Sequence, residues 1–232
     1  MNLAAGFAKA GRKTLVIDFD CQANLSRIML GTEPSGKTIT DVMAGTASIS
    51  ECIIPTKTPN LDLVASNLDL ETIEKSMLLQ TSGIQQFRLK RALKEVKDYD
   101  EIVIDNRPSL NMCSTNALCA CDQLIIPAIP DLGSEEGIRK TLAHASEILE
   151  QIEGVDFDYM ILITMVHRSN TDKEVISRVT ETYGTNHIFN SRIRYQAKPI
   201  KDAGYDDGVL IDNPKANVAG DYNAFIAEVL ER

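Results

Sequence analysis

Thr14-Leu-Val-Ile-Asp-Phe-Asp20 and Tyr99-Asp-Glu-Ile-Val-Ile-Asp105-Asn-Arg-Pro-Ser109 are the stretches on which the fold of this 232-residue chain turns. Each is a short apolar run that closes on aspartate. Leu15–Ile17 and Ile102–Ile104 are continuous rather than alternating, the pattern of strands covered on both faces. Leu124–Ile126 and Met160–Ile163 read the same way, and Leu61–Ala65 adds a further strand. Helical patterns occupy Asn2–Ala10 (stopped by Gly11), Leu68–Leu79, Phe87–Lys97, Ser114–Cys121, Glu135–Ile152, Lys173–Tyr183 and Ala216–Leu230. Residues 21–60 read as an irregular excursion, and a short strand is expected near His187–Asn190. Strands alternating with helices predict an α/β fold, a mostly parallel doubly wound sheet with helices on both faces. In such a sheet a ligand lies beyond the carboxyl ends of the strands. Asp18, Asp20 and Asp105 all fall there.

The bulk properties narrow the classes. Apolar residues make up 44% of the chain and prolines number 8, as in an ordinary globular protein. The length fits one domain over residues 1–232. No apolar run reaches the roughly 18–20 residues needed to span a bilayer, and no secretion signal opens the chain. The net charge of −9 opposes DNA binding by the molecule as a whole, so any such contact needs a local basic patch. The five cysteines form no CxxC pair and read as packed, reduced thiols of a cytoplasmic protein. His144, His167 and His187 are scattered and imply no metal site.

A hydrophobic strand ending in aspartate has the form of a Walker B element. Its carboxylate supports Mg²⁺, usually through water, while the metal bridges phosphate oxygens. One such strand is a weak signal; two in one chain are a stronger one.

Asp18-Phe-Asp-Cys-Gln-Ala-Asn24 resembles the Asp-x-Asp-Pro-Gln-x-Asn segment of the ParA/MinD family of P-loop ATPases. Asp105-Asn-Arg-Pro-Ser-Leu110 resembles that family's Asp-x-Pro-Pro-Ser-Leu, and Asn116-Ala-Leu-Cys-Ala-Cys-Asp122 its Asn-Ala-Leu-x-Ala-Ala-Asp. Ile125-Ile-Pro127, Ile163-Thr-Met165 and the closing helix fit in order, so the resemblance runs along nearly the whole chain. It is greatest to small ParA partition proteins without an added N-terminal DNA-binding domain. The resemblance implies that Asp20 lies in the first switch segment and helps position the attacking water, and that Asp18 and Asp105 support Mg²⁺ through water beside ATP. It also implies a homodimer, non-specific DNA binding, a ParB-like partner that stimulates hydrolysis, and a cytoplasmic, nucleoid-associated protein in plasmid or chromosome partitioning. Cys21 and Arg107 each stand where the family usually has proline, and Arg107 is placed to pair with one of the acids.

In the family, a strand and a Lys-Gly-Gly-x-Gly-Lys-Thr-Thr loop directly precede the helix that here begins Asn2-Leu-Ala-Ala5. Roughly 15–20 residues of that kind are expected ahead of Met1 and are not in the chain. The expectation is therefore a P-loop NTPase-like sheet without its first strand, with an open groove and unpaired backbone groups on both sides. Negligible ATP hydrolysis, no nucleotide-sandwich dimer, and neither Mg²⁺ nor ATP bound by this chain would follow. Gly31-Thr-Glu-Pro-Ser-Gly-Lys37-Thr38 matches a Walker A pattern formally. Its context argues against a phosphate loop: no convincing strand precedes it, and Pro34 removes an amide from the cradle.

Arg192, Arg194, Lys198 and Lys201 are the leading candidates for DNA contact. Arg88, Arg91, Lys94 and Lys97 lie three apart along one predicted helix and read more readily as a solvent face. Two other readings are weighed. One is a non-catalytic ParA-like interaction protein that competes for partition partners. The other is a MinD-like membrane-positioning ATPase, against which the lack of a basic C-terminal helix counts.

Overall fold

The computed structural model describes residues 1–79, 85–107, 109, 111–131, 133–199, 209–213 and 216–232. The chain divides into two compact units, one built on Met1–Ala120 and the other on Cys121–Asp202 with Leu210–Arg232.

The first unit runs α1 (Asn2–Lys9), β1 (Thr14–Phe19), α2 (Asn24–Leu30), α3 (Ile39–Ala44), β2 (Ile53–Pro55), β3 (Leu61–Val64), α4 (Leu70–Leu78), α5 (Arg88–Leu93), β4 (Glu101–Asn106) and α6 (Met112–Ala120). Its sheet has the order β2-β3-β1-β4, with β1 parallel to both β3 and β4 and only β2 antiparallel. A central strand must be apolar on both faces, and all six residues of β1 are buried. α1 packs on β1 and β4 and buries Ala4, Ala5, Phe7 and Ala8; the three alanines allow close approach. Gly11, at φ +86°, makes the turn that returns the chain to β1. Ile17, Phe19, Ile39, Met43, Leu70 and Leu89 centre the core.

β4 departs from the expectation. Ile102, Val103 and Ile104 are only half-buried and Asp105 is exposed. The cause is pairing: β4 bonds to β1 on one side, and no strand among the described residues bonds to the other. Residues 21–60 are also more regular than their composition implies. Gly31 and Gly45 end α2 and α3 in the left-handed conformation, and Thr38 with Asp41 forms a reciprocal capping box at the start of α3. β2 is a three-residue edge strand that stops at Pro55, where a missing amide costs no ladder bond. The predicted Phe87–Lys97 helix stays α-helical only to Leu93, after which Lys94, Glu95 and Val96 close tighter i→i+3 turns.

The second unit contains β5 (Gln123–Ala128), α7 (Ser134–Gln151), β6 (Asp158–Ile163), α8 (Asn170–Tyr183) and α9 (Asn217–Leu230). β5 and β6 pair in parallel, and Ile126, Ile138, Ile161, Ile163, Val175 and Val179 form the core between strands and helices. The strand expected near His187–Asn190 reduces to a single bridge between Ile188 and Ile161. α9 is held by Glu228, which accepts the amides of Asn190 and Ser191, both at 2.8 Å. No helix among the described residues is long and apolar enough to cross a membrane.

Candidate functional site

Parallel register sets Asp18 of β1 opposite Asp105 of β4. Register partners on neighbouring strands share a face about 4.8 Å apart, so the two carboxylates leave the strand tips side by side. Their surroundings differ. Asp18 is fully buried. Its Oδ2 accepts the Ser26 hydroxyl at 2.6 Å and the Ser26 amide at 2.8 Å, and its Oδ1 accepts the Asp20 amide at 3.2 Å. The Ser26 Oγ in turn accepts the amide of Ser66, just past β3, at 2.9 Å. Asp20 sits on the turn between β1 and α2, where its Oδ1 accepts the Gln22 amide at 3.0 Å and its carbonyl accepts the Ala23 amide at 2.9 Å. Ala23 closes that turn at φ 51°, a left-handed conformation that alanine rarely adopts. The Asp105 carboxylate accepts no hydrogen bond from a described residue.

The local field is negative. Burial pushes Asp18 above the ordinary carboxylate range against the Ser26 and Asp20 hydrogen bonds, and Asp105 adds like charge. Desolvation raises Asp105 as well, and Asp20 adds to the rise. Among the described residues no three His, Cys, Asp or Glu side chains stand close enough to hold a metal by themselves. Such a site suits Mg²⁺, which keeps several waters and takes one or two carboxylates together with phosphate oxygens. Asp105 and Asp20 have oxygens to offer such an ion, whereas those of Asp18 are occupied in holding residues 20–26 against the strand tip.

Arg107 does not pair with these acids. Its Nη2 bonds Glu74 Oε2 of α4 at 2.7 Å and its Nη1 lies 3.1 Å from Cys21 Sγ. Glu74 is buried, and its Oε1 accepts the amide of Cys113 in the first turn of α6 at 3.0 Å. All five cysteines are free. Burial pushes Cys52 and Cys119 up to about 11 and Cys113 further still, so these are neutral packed thiols.

The Walker A-like stretch is occupied by other work. Gly31 ends helix α2, so no strand leads into it. Lys37 pairs with Glu51. The Thr38 amide donates to Asp41 Oδ2 at 2.9 Å, and the Thr38 hydroxyl accepts the amide of Thr40 at 3.3 Å. An aspartate thus already fills the anion position at the start of α3.

The family model described as AAA domain matches residues 1–159. The chromosome-partitioning ATPase Soj of Treponema pallidum is 32% identical over 238 residues, which span 100% of this chain and 90% of that protein. The chain belongs to the ParA/MinD family of partition ATPases. The cell division protein PomZ of Myxococcus xanthus is 28% identical, over 97% of this chain and 70% of its own length. Among solved structures, a cobyrinic acid a,c-diamide synthase from Mycobacterium smegmatis with bound ATP analogue and magnesium superposes with a TM-score of 0.83 at 22% identity, covering 99% of this chain and 86% of that one. That likeness shows the fold, an α/β architecture with a mostly parallel sheet.

In this ParA/MinD family member the basic candidates separate. Arg194 is tied to Asp221 by two side-chain bonds, Nε–Oδ2 at 2.6 Å and Nη2–Oδ1 at 2.7 Å, so its charge is spent on holding α9. Arg192 and Lys198 are exposed, and Lys201 lies outside the described residues. The row of Arg88, Arg91, Lys94 and Lys97 is no single helical face, because α5 ends at Leu93 and Arg88 donates to the Met43 carbonyl. Sequence reasoning missed Ser26 and Glu74. Glu74 had a readable signal, since it sits between Leu70 and Met77 in the buried stripe of α4. Ser26, eight residues after Asp18, had none.

Proposed function

We propose that the strand tips of the first unit carry the acid-bearing part of the Mg-ATP site of a cytoplasmic ParA-like partition ATPase, a kind of protein that dimerises, binds DNA non-specifically and answers to a ParB-like partner; the phosphate loop expected ahead of Asn2 is not among the residues of this chain. The observation that carries the reading is the register pair Asp18–Asp105 with Asp20 on the adjoining turn, in a chain matched along its length by a partition ATPase. The residues fit a divalent cation: Asp18 and Asp105 are register partners at the strand tips, desolvation and like charge raise both, and no described residue donates to the Asp105 carboxylate. Asp105 would hold a Mg²⁺ ion, which when bound would supply neutralisation of phosphate charge. Asp20 would orient a water for attack, and Asp18 fixes the turn that carries Asp20. Arg192 and Lys198 supply the DNA contacts.

Titrating a fluorescent ATP analogue with and without Mg²⁺ tests this. Mg²⁺ should tighten binding, and Asp105→Ala should abolish that gain while leaving Mg²⁺-free binding unchanged. Absence of binding with Mg²⁺ would overturn the ATPase reading for this chain. A second reading would then stand, a non-catalytic scaffold that competes for partition partners. It is favoured by the Gly31–Thr38 segment, which does not form a phosphate cradle although it alone matches that pattern.

A further inference from the structure

We propose that Arg107 is a positioning residue whose guanidinium ties the two acid-bearing segments of the first unit to each other and to α4. Three observations meet at this side chain. Its Nη1 reaches Cys21 Sγ at 3.1 Å, on the turn that carries Asp20. Its Nη2 reaches Glu74 Oε2 at 2.7 Å, and Glu74 is only 5% exposed. The second oxygen of Glu74 holds the first turn of α6 through the Cys113 amide at 3.0 Å. Arg107 itself stands two residues after Asp105.

The fork geometry makes this a connection and not merely an ion pair. A guanidinium presents donors in one rigid plane, so fixing one end on a carboxylate fixes where the other end points. Glu74 cannot move freely either, because a buried carboxylate bound to a helix amide is held on both oxygens. The Cys21 thiol is therefore held by a donor whose position α4 and α6 determine. A displacement of the segment after β4 is passed to the turn after β1 through hydrogen bonds rather than through the sheet. The tie itself requires no nucleotide; its importance to cation binding rests on the functional reading above.

Thiol accessibility reads the tie directly. Cys21, Cys52 and Cys119 are each no more than 1% exposed, so Cys52 and Cys119 serve as internal controls in the same chain. Alkylation of the full chain by iodoacetamide, resolved site by site by mass spectrometry, compares wild type with Arg107→Ala. Because Arg107→Ala leaves the buried Glu74 without its cation, the double variant Arg107→Ala with Glu74→Gln is measured beside it. Cys21 labelling should rise about ten-fold or more in both, with Cys52 and Cys119 unchanged. Amide exchange should quicken over residues 20–26 by a similar factor. Arg107→Lys, which keeps the charge but loses the fork, should restore the Glu74 contact and leave Cys21 at an intermediate rate. Unchanged Cys21 labelling, or a parallel rise at all three cysteines, would overturn the proposal. Neither measurement uses nucleotide, so a failed ATP titration would remove the functional reading and leave this one to stand or fall on its own result.

Discussion

Removing the Ser26 hydroxyl should cost the first unit more stability than its small size implies. The Oγ–H donates to Asp18 Oδ2 at 2.6 Å inside a fully buried site. A hydrogen bond to an ionised group is worth about 1.5–3 kcal/mol. The same oxygen accepts the Ser66 amide at 2.9 Å, and orphaning that buried donor costs about 1–3 kcal/mol. Asp18 keeps the amides of Ser26 and Asp20, which softens the loss, so Ser26→Ala should destabilise by about 2–4 kcal/mol. For a chain of this size that is a fall in Tm of roughly 5–15 °C. The chain has no tryptophan, so far-UV circular dichroism in urea is the natural assay, with amide exchange at Ser66 as the local readout. The pH dependence has a definite sign. The hydroxyl favours ionised Asp18, so its loss pushes an already raised pKa further up. The penalty should therefore be largest above the folded pKa of Asp18 and shrink as pH falls through it. A loss below about 0.5 kcal/mol, or one that grows on acidification, would refute the assignment of Ser26 as the anchor of this turn.

Ala23→Gly relieves a left-handed alanine, a gain of about 1–2 kcal/mol that unfolded-state entropy offsets by about 0.4–1, so the urea midpoint should hold or rise. Asp105 has its folded pKa raised by desolvation, so between its unfolded and folded pKa the native state holds more protons and stability falls as pH rises. Asp105→Asn should flatten that decline, starting from the ordinary carboxylate range upward, in a series of thermal melts. Arg194→Ala removes a bidentate pair whose arginine side chain is 36% exposed, so solvent screening limits the cost to about 1–2 kcal/mol and DNA affinity should not change. Arg192→Glu with Lys198→Glu should instead weaken DNA binding and reduce its salt slope by about 2, measured by fluorescence anisotropy across salt concentrations.

The acids were legible because their signal is local. A run such as Leu15–Ile17 specifies a covered strand by its own composition, and an aspartate that ends it is carried to the sheet's carboxyl edge by chain geometry alone. β1 begins at Thr14, where the pattern says, and β5 contains the expected Leu124–Ile126 run. What the pattern leaves open is the neighbour. Ile102–Ile104 are as apolar as Leu15–Ile17, yet they are half-buried, because burial of a strand depends on what bonds to its other edge. The partner of Arg107 was hidden for the same reason. Glu74 lies 33 residues earlier on another helix, and Asp105, two residues away, was the nearer candidate in sequence but is not the partner. A glutamate inside an apolar stripe was the one available hint, since a buried carboxylate must find a cation or a donor.

The same distinction explains why the Gly31–Thr38 match misleads. A phosphate loop works through backbone amides that point inward without partners, a hydroxyl free to reach a metal, and a lysine free to reach phosphate. The pattern records which residue types permit that geometry but not whether their donors are free. Here the Thr38 amide, the Thr38 hydroxyl and Lys37 are each engaged, by Asp41, Thr40 and Glu51 respectively. The requirements of a helix start and of an anion site are the same, exposed amides and a compensating negative charge, and a capping aspartate meets both from within the chain. A glycine-lysine-threonine sequence that opens a helix is therefore informative only when no carboxylate lies three residues on. Thr38 and Asp41 have the spacing of a capping box, and that spacing was readable before any fold was known.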